Sequence, residues 1–482
     1  MPIFAMTRMT GKGSAVGITD LAEDIGRSIE GLGSSVSEAL FEPVIRLGVT
    51  GLSRAGKTVF ITSLVANLLD RGRMPALTGA GRIRAAYLKP QPDDTVPRFD
   101  YEHHLACMTG PAPAWPEGTR AVSELRLSFR LQPSGMLGAL YKPRTVHLDI
   151  VDYPGEWLLD LGLIEKSFED WSAGVLDRLP GRPGSDAFLQ TLDEIDLYAR
   201  FSETAAKALA ESFTEHLIAA REAGFSDCSP GRFLLPGEMA GSPVLTFAPI
   251  PPASYPRDSL GREMERRFDA YKREVVKPFF RDHFARIDRQ VVLVDVLGAI
   301  HAGPAALEDL RQSMAAILTA FRPGVPGFLL TLLGAKRVER ILFAATKADH
   351  LHHIQHAKLT AITEALLREA KDRASFAGAE TAAMSLASLR TTTEDIIPHS
   401  GEDLPAVRGR LADGRSVALY PGELPADPAE LLTPARDGAE EWLDADFGLM
   451  NFAPAPGVLR PGEGPPHIRI DRAAEFLIGD KL

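Results

Sequence analysis

Cysteine is scarce in this chain of 482 residues, which contains only Cys107 and Cys228. Two cysteines so far apart exclude a disulfide framework and suit a reducing compartment. Long apolar runs are missing as well, since the best candidate, residues 327–334, is far too short to cross a bilayer. Residues 1–14 lack the apolar stretch of a signal peptide. These absences predict a cytoplasmic protein without a transmembrane segment.

Basic residues are also fewer than acidic residues in this chain. The chain has 53 Lys and Arg residues against 64 Asp and Glu residues, which gives a formal net charge of −11. A surface that binds nucleic acid is basic and clustered, so this balance argues against a nucleic-acid partner. The hydrophobic content of 45% and the charged content of 24% are ordinary for a globular protein. The length allows about two or three domains, or one domain with large insertions.

A glycine-rich loop with the sequence GLSRAGKT occupies residues 51–58. The stretch before it, residues 43–50, predicts a buried strand, and residues 59–69 predict a helix. Strand, G-x-x-x-x-G-K-T and helix form the context of a phosphate-binding loop, whose backbone N–H groups attract phosphate oxygens. We expect Lys57 to contact the terminal phosphates and the Thr58 hydroxyl to bind Mg²⁺. The expected nucleotide-binding residues here are Ser53, Arg54, Ala55, Gly56, Lys57, Thr58 and Val59.

A second motif, D-x-x-G, occupies residues 152–155 at the end of an apolar stretch. In this position Asp152 can hold a water molecule on Mg²⁺, and the Gly155 N–H can reach a γ-phosphate. A threonine must complete the metal shell, and we choose Thr119 because it directly precedes a predicted strand. The predicted Mg²⁺ ligands are therefore Thr58, Asp152 and Thr119. Three other threonines stay open for the last role: Thr78, Thr95 and Thr109.

A third motif, T-K-x-D, occupies residues 346–349 after a predicted strand. The Asp349 carboxylate can accept two hydrogen bonds from guanine, whereas adenine has no matching donors. The aliphatic stem of Lys347 can cover the face of the base. We therefore expect guanine specificity, the alternative being an ATPase in which Asp349 does not face the base. The expected base-site residues are Lys347, Asp349, His350, Ser388 and Leu389, the last two as backbone donors to the guanine O6.

Two charged residues are candidates for the hydrolytic step. Glu156 follows the D-x-x-G glycine, where small GTPases that resemble Ras carry a water-orienting glutamine. A carboxylate there repels the γ-phosphate unless it is turned away or takes a proton from the attacking water. Arg54 matches in spacing the intrinsic arginine of guanylate-binding-protein GTPases, whose loops resemble this G-L-x-R-x-G-K pattern. We expect Arg54 to act as an arginine finger, the alternative being an outward-pointing side chain paired with a surface carboxylate. The candidate catalytic set is Lys57, Arg54, Asp152, Gly155, Glu156 and Thr119.

Alternating strand and helix patterns predict an α/β fold with a doubly wound parallel sheet. Together with the three motifs, they predict a Ras-like GTPase core of the P-loop NTPase class. Residues 122–131 and 145–152 are a predicted antiparallel pair, and residues 71–120 are predicted to be loop-rich. Further predicted strands lie at 290–297, 341–345 and 381–387. The predicted domains are an N-terminal helical appendage (1–42), the GTPase core (43–155 and 290–396), a mainly helical insertion (156–289), a small β-rich insertion (397–465) and a C-terminal strand and helix (466–482).

Four histidines lie close together at positions 350, 352, 353 and 356. No carboxylate or cysteine accompanies them at a recognisable metal-ligand spacing. We therefore expect the solvated start of a helix here rather than a metal site.

The most specific strings are GLSRAGKT at 51–58, DYPGEWLLDL at 152–161, PGRF at 230–233, LFAATKADH at 342–350, YPGE at 420–423 and EFLIGDKL at 475–482. These strings resemble the YcjX-like family of bacterial P-loop GTPases, and the similarity covers nearly the whole chain from about residue 20. The resemblance implies a cytoplasmic, stress-associated protein that binds GTP or GDP with Mg²⁺. It also implies a link to a membrane-protein partner and a peripheral position at the inner membrane. We expect slow GTP hydrolysis, the alternative being a nucleotide-gated scaffold that scarcely hydrolyses.

Overall fold

The computed structural model describes residues 42–52, 54–133, 143–283, 286–318, 338–376, 378–399, 401–442 and 447–482. Residues Ile45–Leu482 belong to one compact unit. The helical appendage predicted before residue 42 and the apolar run at residues 327–334 lie outside the described residues. The phosphate-loop residue Ser53 lies outside them as well.

A seven-stranded sheet lies at the centre of this unit. Its strands are β1 (Val44–Gly51), β2 (Ile83–Lys89), β3 (Ser123–Leu131), β4 (Arg144–Asp152), β5 (Arg289–Val294), β6 (Arg340–Ala345) and β7 (Glu380–Ser385). The strand order is β2-β3-β4-β1-β5-β6-β7. Strands β1, β5, β6 and β7 pair in parallel, whereas β2, β3 and β4 pair antiparallel. The predicted parallel sheet and the predicted antiparallel pair are both confirmed.

Helices pack on this sheet and extend beyond it. The α-helices of the described residues are α1 (Lys57–Leu69), α2 (Tyr101–Thr109), α3 (Gly155–Leu159), α4 (Phe168–Arg178), α5 (Ser185–Glu194), α6 (Glu203–Glu222), α7 (Gly231–Leu234), α8 (Leu260–Tyr271), α9 (Lys277–Asp282), α10 (Val296–Ala302), α11 (Pro304–Leu318), α12 (His356–Leu366), α13 (Arg368–Phe376), α14 (Ala429–Arg436) and α15 (Ile470–Ile478).

The side chains of β5 divide the interior into two hydrophobic clusters. Val291 and Leu293 belong to the cluster that contains α1 and α15, whereas Val292 and Val294 belong to the cluster that contains α11 and α12. Successive side chains of a strand point to opposite faces, so helices cover both faces of the sheet. This is the predicted doubly wound arrangement. It brings the loops after the parallel strands to one edge, where such folds bind ligands.

Two stretches differ from the prediction. Residues 71–120, expected to be loop-rich, contain the edge strand β2 and the helix α2. Half-exposed edge strands carry a weak hydrophobic pattern, which explains the miss. The strand expected over residues 290–297 ends at Val294. It ends there because the Asp295 carboxylate accepts a hydrogen bond from the Gly298 N–H at 3.0 Å and caps α10.

The described residues between α3 and β5 form helices around an aromatic core. The Trp171 ring stacks on Phe268 with ring centroids 4.9 Å apart. Phe213 and Phe247 meet the Trp171 ring edge-on. This is the large helical segment of the predicted fold, while the domain boundaries stay predictions.

A second, smaller sheet follows the core strands. It consists of β8 (Thr392–His399), β9 (Glu402–Leu411), β10 (Ser416–Leu419) and β11 (Phe452–Ala453). Strand β9 pairs with the other three. This is the β-rich segment of the predicted fold. Among the helices described, none has both the length and the apolar character needed to cross a membrane.

Candidate nucleotide-binding site

A cleft of about 510 Å³ opens at the edge of the sheet where the parallel strands end. Its walls come from the loop after β1, the stretch before β3, and the loops after β6 and β7. Most of the predicted site residues line it: Arg54, Ala55, Gly56, Lys57, Thr58, Val59, Thr119, Lys347, Asp349, His350, Ser388 and Leu389. Asp152, Gly155 and Glu156 are outside this lining. One cleft therefore joins the glycine-rich loop to the T-K-x-D loop.

The glycine-rich loop turns directly into helix α1. Gly56 has a φ of 80°, a left-handed conformation that glycine adopts without strain. Helix α1 begins at the next residue, Lys57, and its first turn contains no acidic side chain and no side-chain cap. The free N–H groups and the partial positive charge of this helix end are therefore available to an anion.

Lys57 is held inside the loop by backbone oxygens. The residue is 8% exposed, and Nζ donates to the carbonyl oxygens of Gly51 at 2.9 Å and Leu52 at 3.4 Å. Burial lowers the pKa of Lys57, while the charges of Asp152 and Glu156 raise it. The loop thus positions a buried cation next to the start of α1.

Three oxygen-bearing side chains meet beside this loop. The Thr119 hydroxyl donates to Asp152 Oδ2 at 2.6 Å and lies 3.4 Å from Thr58 Oγ1. Burial raises the pKa of Asp152 to about 6, against the lowering effects of Lys57, the Thr119 bond and the Tyr153 N–H. Asp152 Oδ1 is buried without a well-formed hydrogen bond to any described residue. Hydroxyl and carboxylate oxygens are ligands that suit Mg²⁺, so the donor set fits the predicted metal.

Gly155 packs directly on the glycine-rich loop. A Cβ atom at this position would lie 2.4 Å from the Gly51 carbonyl oxygen and 2.7 Å from Lys57 Nζ. Only glycine permits such a close approach. The D-x-x-G motif therefore touches the lysine that the loop presents.

At the other end of the cleft, Asp349 is buried and anchored by Thr391. The Thr391 N–H and hydroxyl donate to Asp349 Oδ2 at 2.9 Å and 2.7 Å. The Thr392 hydroxyl donates to the Asp349 carbonyl oxygen. Within the part of the chain that the structure describes, no donor reaches Oδ1. Sequence reasoning did not select Thr391, although it lies in the same loop as Ser388 and Leu389.

Lys347 is oriented by an ion pair. Its backbone has a φ of 60°, which is unusual for a residue other than glycine. Its ammonium group pairs with the carboxylate of Asp295 at the end of β5. The side chain is therefore held beside Asp349 in the wall of the cleft.

The β-rich segment contributes residues that sequence reasoning missed. Asn451 and Phe452 line the cleft together with Trp115. The Trp115 indole N–H donates to the Phe452 carbonyl oxygen at 2.8 Å, and the Phe452 ring meets the His350 ring edge-on at 5.3 Å. Burial lowers the pKa of His350. These residues carry no motif, and only the fold brings them to the cleft.

Glu156 faces the helical segment rather than the cleft. Its carboxylate lies 3.6 Å from Arg221 Nη1 at the end of α6. Both side chains line a second cavity of about 120 Å³. Arg54 is exposed, lines both cavities, and forms no ion pair or hydrogen bond with a described residue. The two candidates for hydrolysis thus share the second cavity, but only Arg54 also lines the cleft.

The helical segment also contacts the residues just after the D-x-x-G motif through hydrogen bonds and close backbone packing. Asp160 is 3% exposed; its Oδ1 accepts the Gly231 N–H at 2.8 Å and its Oδ2 accepts the Tyr271 hydroxyl at 2.6 Å. A Cβ atom on Gly231 would lie 1.8 Å from the Glu156 carbonyl oxygen. Helix α3 is therefore packed against α7 without space for a side chain between them.

Asp160→Asn is expected to flatten the pH dependence of stability. Burial raises the pKa of Asp160 to about 7, although the bonds from Tyr271 and Gly231 and the charge of Arg232 lower it. The unfolded pKa is about 3.9, so the folded state favours the neutral acid. The stability from Asp160 is fully present below about pH 4 and is lost as the pH rises through about 7. Asn stays neutral, so between pH 5 and 8 the variant should gain roughly 2–3 kcal/mol relative to the parent.

Urea unfolding of both proteins at pH 5 and pH 8 measures this gain. Asp160→Ala is the control, because it leaves the Gly231 N–H and the Tyr271 hydroxyl without an acceptor and should destabilise at both pH values. Parallel pH profiles for the parent and Asp160→Asn contradict the prediction.

Comparison with known proteins agrees with the motifs. Residues 45–482 match the model of a family described as the YcjX-like family, DUF463. A protein of Escherichia coli (strain K12) named "Ras-like GTPase YcjX" is 39% identical over 456 residues, covering 91% of this chain and 96% of that protein. A protein of the same name from Shewanella oneidensis is 33% identical over 467 residues, covering 91% of this chain and 94% of that protein. The resemblance predicted from the strings is confirmed.

Proposed function

Because the chain belongs to the YcjX-like family, we propose that it binds GTP and GDP and slowly hydrolyses GTP with Mg²⁺ as a nucleotide switch. The observation that carries this proposal is the cleft that joins the glycine-rich loop to the buried Asp349. The end of the cleft at the glycine-rich loop suits the phosphates of a guanine nucleotide, and the end at Asp349 suits its base. The relatives named as Ras-like GTPases support the same activity.

The phosphates are assigned to the loop and to the N-terminus of α1. Lys57 and the free N–H groups of the first turn bind the β- and γ-phosphates. Thr58, Thr119 and Asp152 would hold Mg²⁺, which supplies positive charge that neutralises the phosphates. The buried Asp152 Oδ1, which makes no well-formed hydrogen bond with a described residue, supports this assignment.

The base is assigned to Asp349. Thr391 occupies Oδ2 with two donors and leaves the remaining acceptor capacity of the carboxylate to a ligand. Guanine supplies the N1–H and amino donors that a buried carboxylate requires, whereas adenine leaves it unpaired. The arrangement favours GTP over ATP, because Asp349 lines the same cleft as the phosphate loop.

For the hydrolytic step, the surroundings favour Arg54 over Glu156. The Glu156 carboxylate is turned towards Arg221, away from the cleft lining. The Arg54 guanidinium has no partner among the described residues and borders the cleft beside Lys57. A free guanidinium there can fold over the phosphates and stabilise the charge that develops in the transition state.

Arg54→Ala is expected to lower the rate of single-turnover GTP hydrolysis by about tenfold or more with little change in GDP affinity, since the benefit is confined to the transition state. Glu156→Ala is the matched comparison and should hydrolyse close to the parent rate. The parent should convert GTP but not ATP, and chelation of Mg²⁺ should stop the reaction. If Arg54→Ala hydrolyses GTP at the parent rate and Glu156→Ala hydrolyses it slowly, the roles of the two residues are the reverse of those proposed. If the unmodified protein binds GTP but does not hydrolyse it, the result supports the alternative of a nucleotide-gated scaffold.

The helical insertion, residues 156–289, is the proposed effector surface. Its support is the packing of Gly231 on the Glu156 carbonyl and the two hydrogen bonds to Asp160, through which a shift at the D-x-x-G motif reaches the rest of the insertion. We further propose, as the resemblance implies, that the chain acts in the cytoplasm in a stress response, with a membrane-protein partner at the inner membrane.

A further inference from the structure

Two histidines and a glutamate meet where the chain after the T-K-x-D motif passes β8. One ring nitrogen from each of His352 and His353 and one carboxylate oxygen of Glu394 lie within 4.8 Å of one another. The fold therefore brings a carboxylate to two of these histidines, and the expectation of a solvated helix start stays a prediction. Glu394 lies 41 residues beyond His353, a separation that no local spacing rule detects. The other two histidines of the group, His350 and His356, are buried.

Glu394 Oε2 is the atom that the two rings share. His353 Nδ1 lies 2.9 Å from it, and His352 Nε2 lies 3.8 Å from it. The other oxygen, Oε1, accepts the His353 backbone N–H at 3.2 Å and lies 4.0 Å from Arg390 Nη2. Contacts on Oε1 thus fix the carboxylate while Oε2 faces the two imidazoles.

The spacing suits ligands of a common ion. Ligands about 2.0–2.2 Å from a tetrahedral Zn²⁺ lie about 3.3–3.6 Å from one another. The separations of 2.9 Å and 3.8 Å lie on either side of that range. The longer separation exceeds a hydrogen bond, so hydrogen bonding does not explain why His352 Nε2 faces Glu394.

The His352 ring itself lacks the partners that buried polar groups normally have. Its side chain is 12% exposed, and Nδ1 is buried without a hydrogen-bond partner among the residues described. Among the described residues, none forms a hydrogen bond with either ring nitrogen of His352, so the Nε2 lone pair is available to an ion. The site is also open to solvent, since the side chain of His353 is 63% exposed and that of Glu394 is 33% exposed.

We propose that His352, His353 and Glu394 bind one Zn²⁺ ion, with water in the remaining coordination position. Two imidazole nitrogens and one carboxylate are a known three-ligand set for Zn²⁺, and imidazole disfavours Mg²⁺ and Ca²⁺. The site is separate from the cluster assigned to Mg²⁺ and does not depend on the proposed GTPase activity. A bound ion would connect the loop after Asp349 to β8.

Calorimetric titration of the tag-free, full-length chain with ZnCl₂ in Mg²⁺-containing buffer tests the proposal. The parent should bind one equivalent. His353→Ala and Glu394→Gln should each weaken the Kd by about tenfold or more, because even loss of an outer-shell partner has that effect. Thermal melting by circular dichroism checks that both variants fold.

Two control variants make the test specific. His103→Ala removes a histidine whose Nε2 lies 3.4 Å from Cys107 Sγ on α2, a pair with only two candidate ligands, and should bind Zn²⁺ like the parent. Lys57→Ala should also bind Zn²⁺ normally, which separates this site from the nucleotide cleft. The proposal is overturned if the parent binds no Zn²⁺, or if His353→Ala and Glu394→Gln bind it as tightly as the parent.

Discussion

Lys57→Ala is expected to abolish detectable GTP binding while leaving the chain folded. The ammonium group is held by the carbonyl oxygens of Gly51 and Leu52, so it is in position before a ligand arrives. Phosphate oxygens then meet a preorganised charge. The variant cannot form the charge-assisted hydrogen bonds from Lys57 to the β- and γ-phosphates. Loss of two such bonds costs about 3–6 kcal/mol, which weakens GTP binding about 100-fold or more.

The fold should survive this substitution because it removes a buried charge whose pKa is already lowered by burial. Calorimetric titration with GTP and GDP measures the affinity, and thermal melting measures the fold. Arg54→Ala is the matched control, since it removes the neighbouring cation of the same loop and should leave GDP affinity almost unchanged. A folded Lys57→Ala protein with the parent affinity for GTP refutes the assignment of the loop.

Asp349→Asn is expected to shift the preference from GTP towards XTP. The Thr391 N–H donates to Oδ2, so the amide oxygen of the new Asn must face Thr391 and its NH₂ group must face the base. An NH₂ group there can donate a hydrogen bond to the 2-oxo group of xanthine. It cannot bond the amino group of guanine, because that group is also a donor. Sites built for a specific hydrogen bond discriminate strongly, so the ratio of GTP to XTP affinity should fall by about 100-fold or more.

Competition of GTP and XTP for the purified variant measures that ratio. Thr391→Val is the control, because it removes the hydroxyl donor to Asp349 Oδ2 and keeps the backbone donor. It should weaken both nucleotides without changing their order. An Asp349→Asn protein that still prefers GTP at the parent affinity shows that Asp349 does not contact the base.

Local patterns in the sequence determined the sheet and its phosphate loop. Strand β5 is buried along its whole length, and its β-branched residues predict that. The described residues of the glycine-rich loop, 51–52 and 54–58, turn at Gly56 directly into helix α1, so the motif and its local structure come from one short segment. Strand β2 escaped prediction because an edge strand buries too little of its surface to leave a clear pattern.

Tertiary structure decided which distant side chains meet. Thr119 bonds Asp152 across 33 residues, and Thr391 anchors Asp349 across 42 residues. Trp115 reaches the Phe452 carbonyl across 337 residues, which brings the β-rich segment to the cleft. The sequence offered Thr119 as one choice among several threonines, and the folded chain places its hydroxyl 2.6 Å from Asp152 Oδ2 and 3.4 Å from Thr58 Oγ1.

The reason for this division is physical. Helix and strand periodicities, turn preferences and short motifs report interactions between residues that are near in the chain. Contacts such as Glu394 with His353, or Glu156 with Arg221, depend on how loops and insertions are packed by the rest of the fold. The sequence by itself therefore determined the chemistry of the glycine-rich loop and of Asp349. Only the folded chain decided what surrounds them, because long-range packing leaves no periodic trace in the sequence.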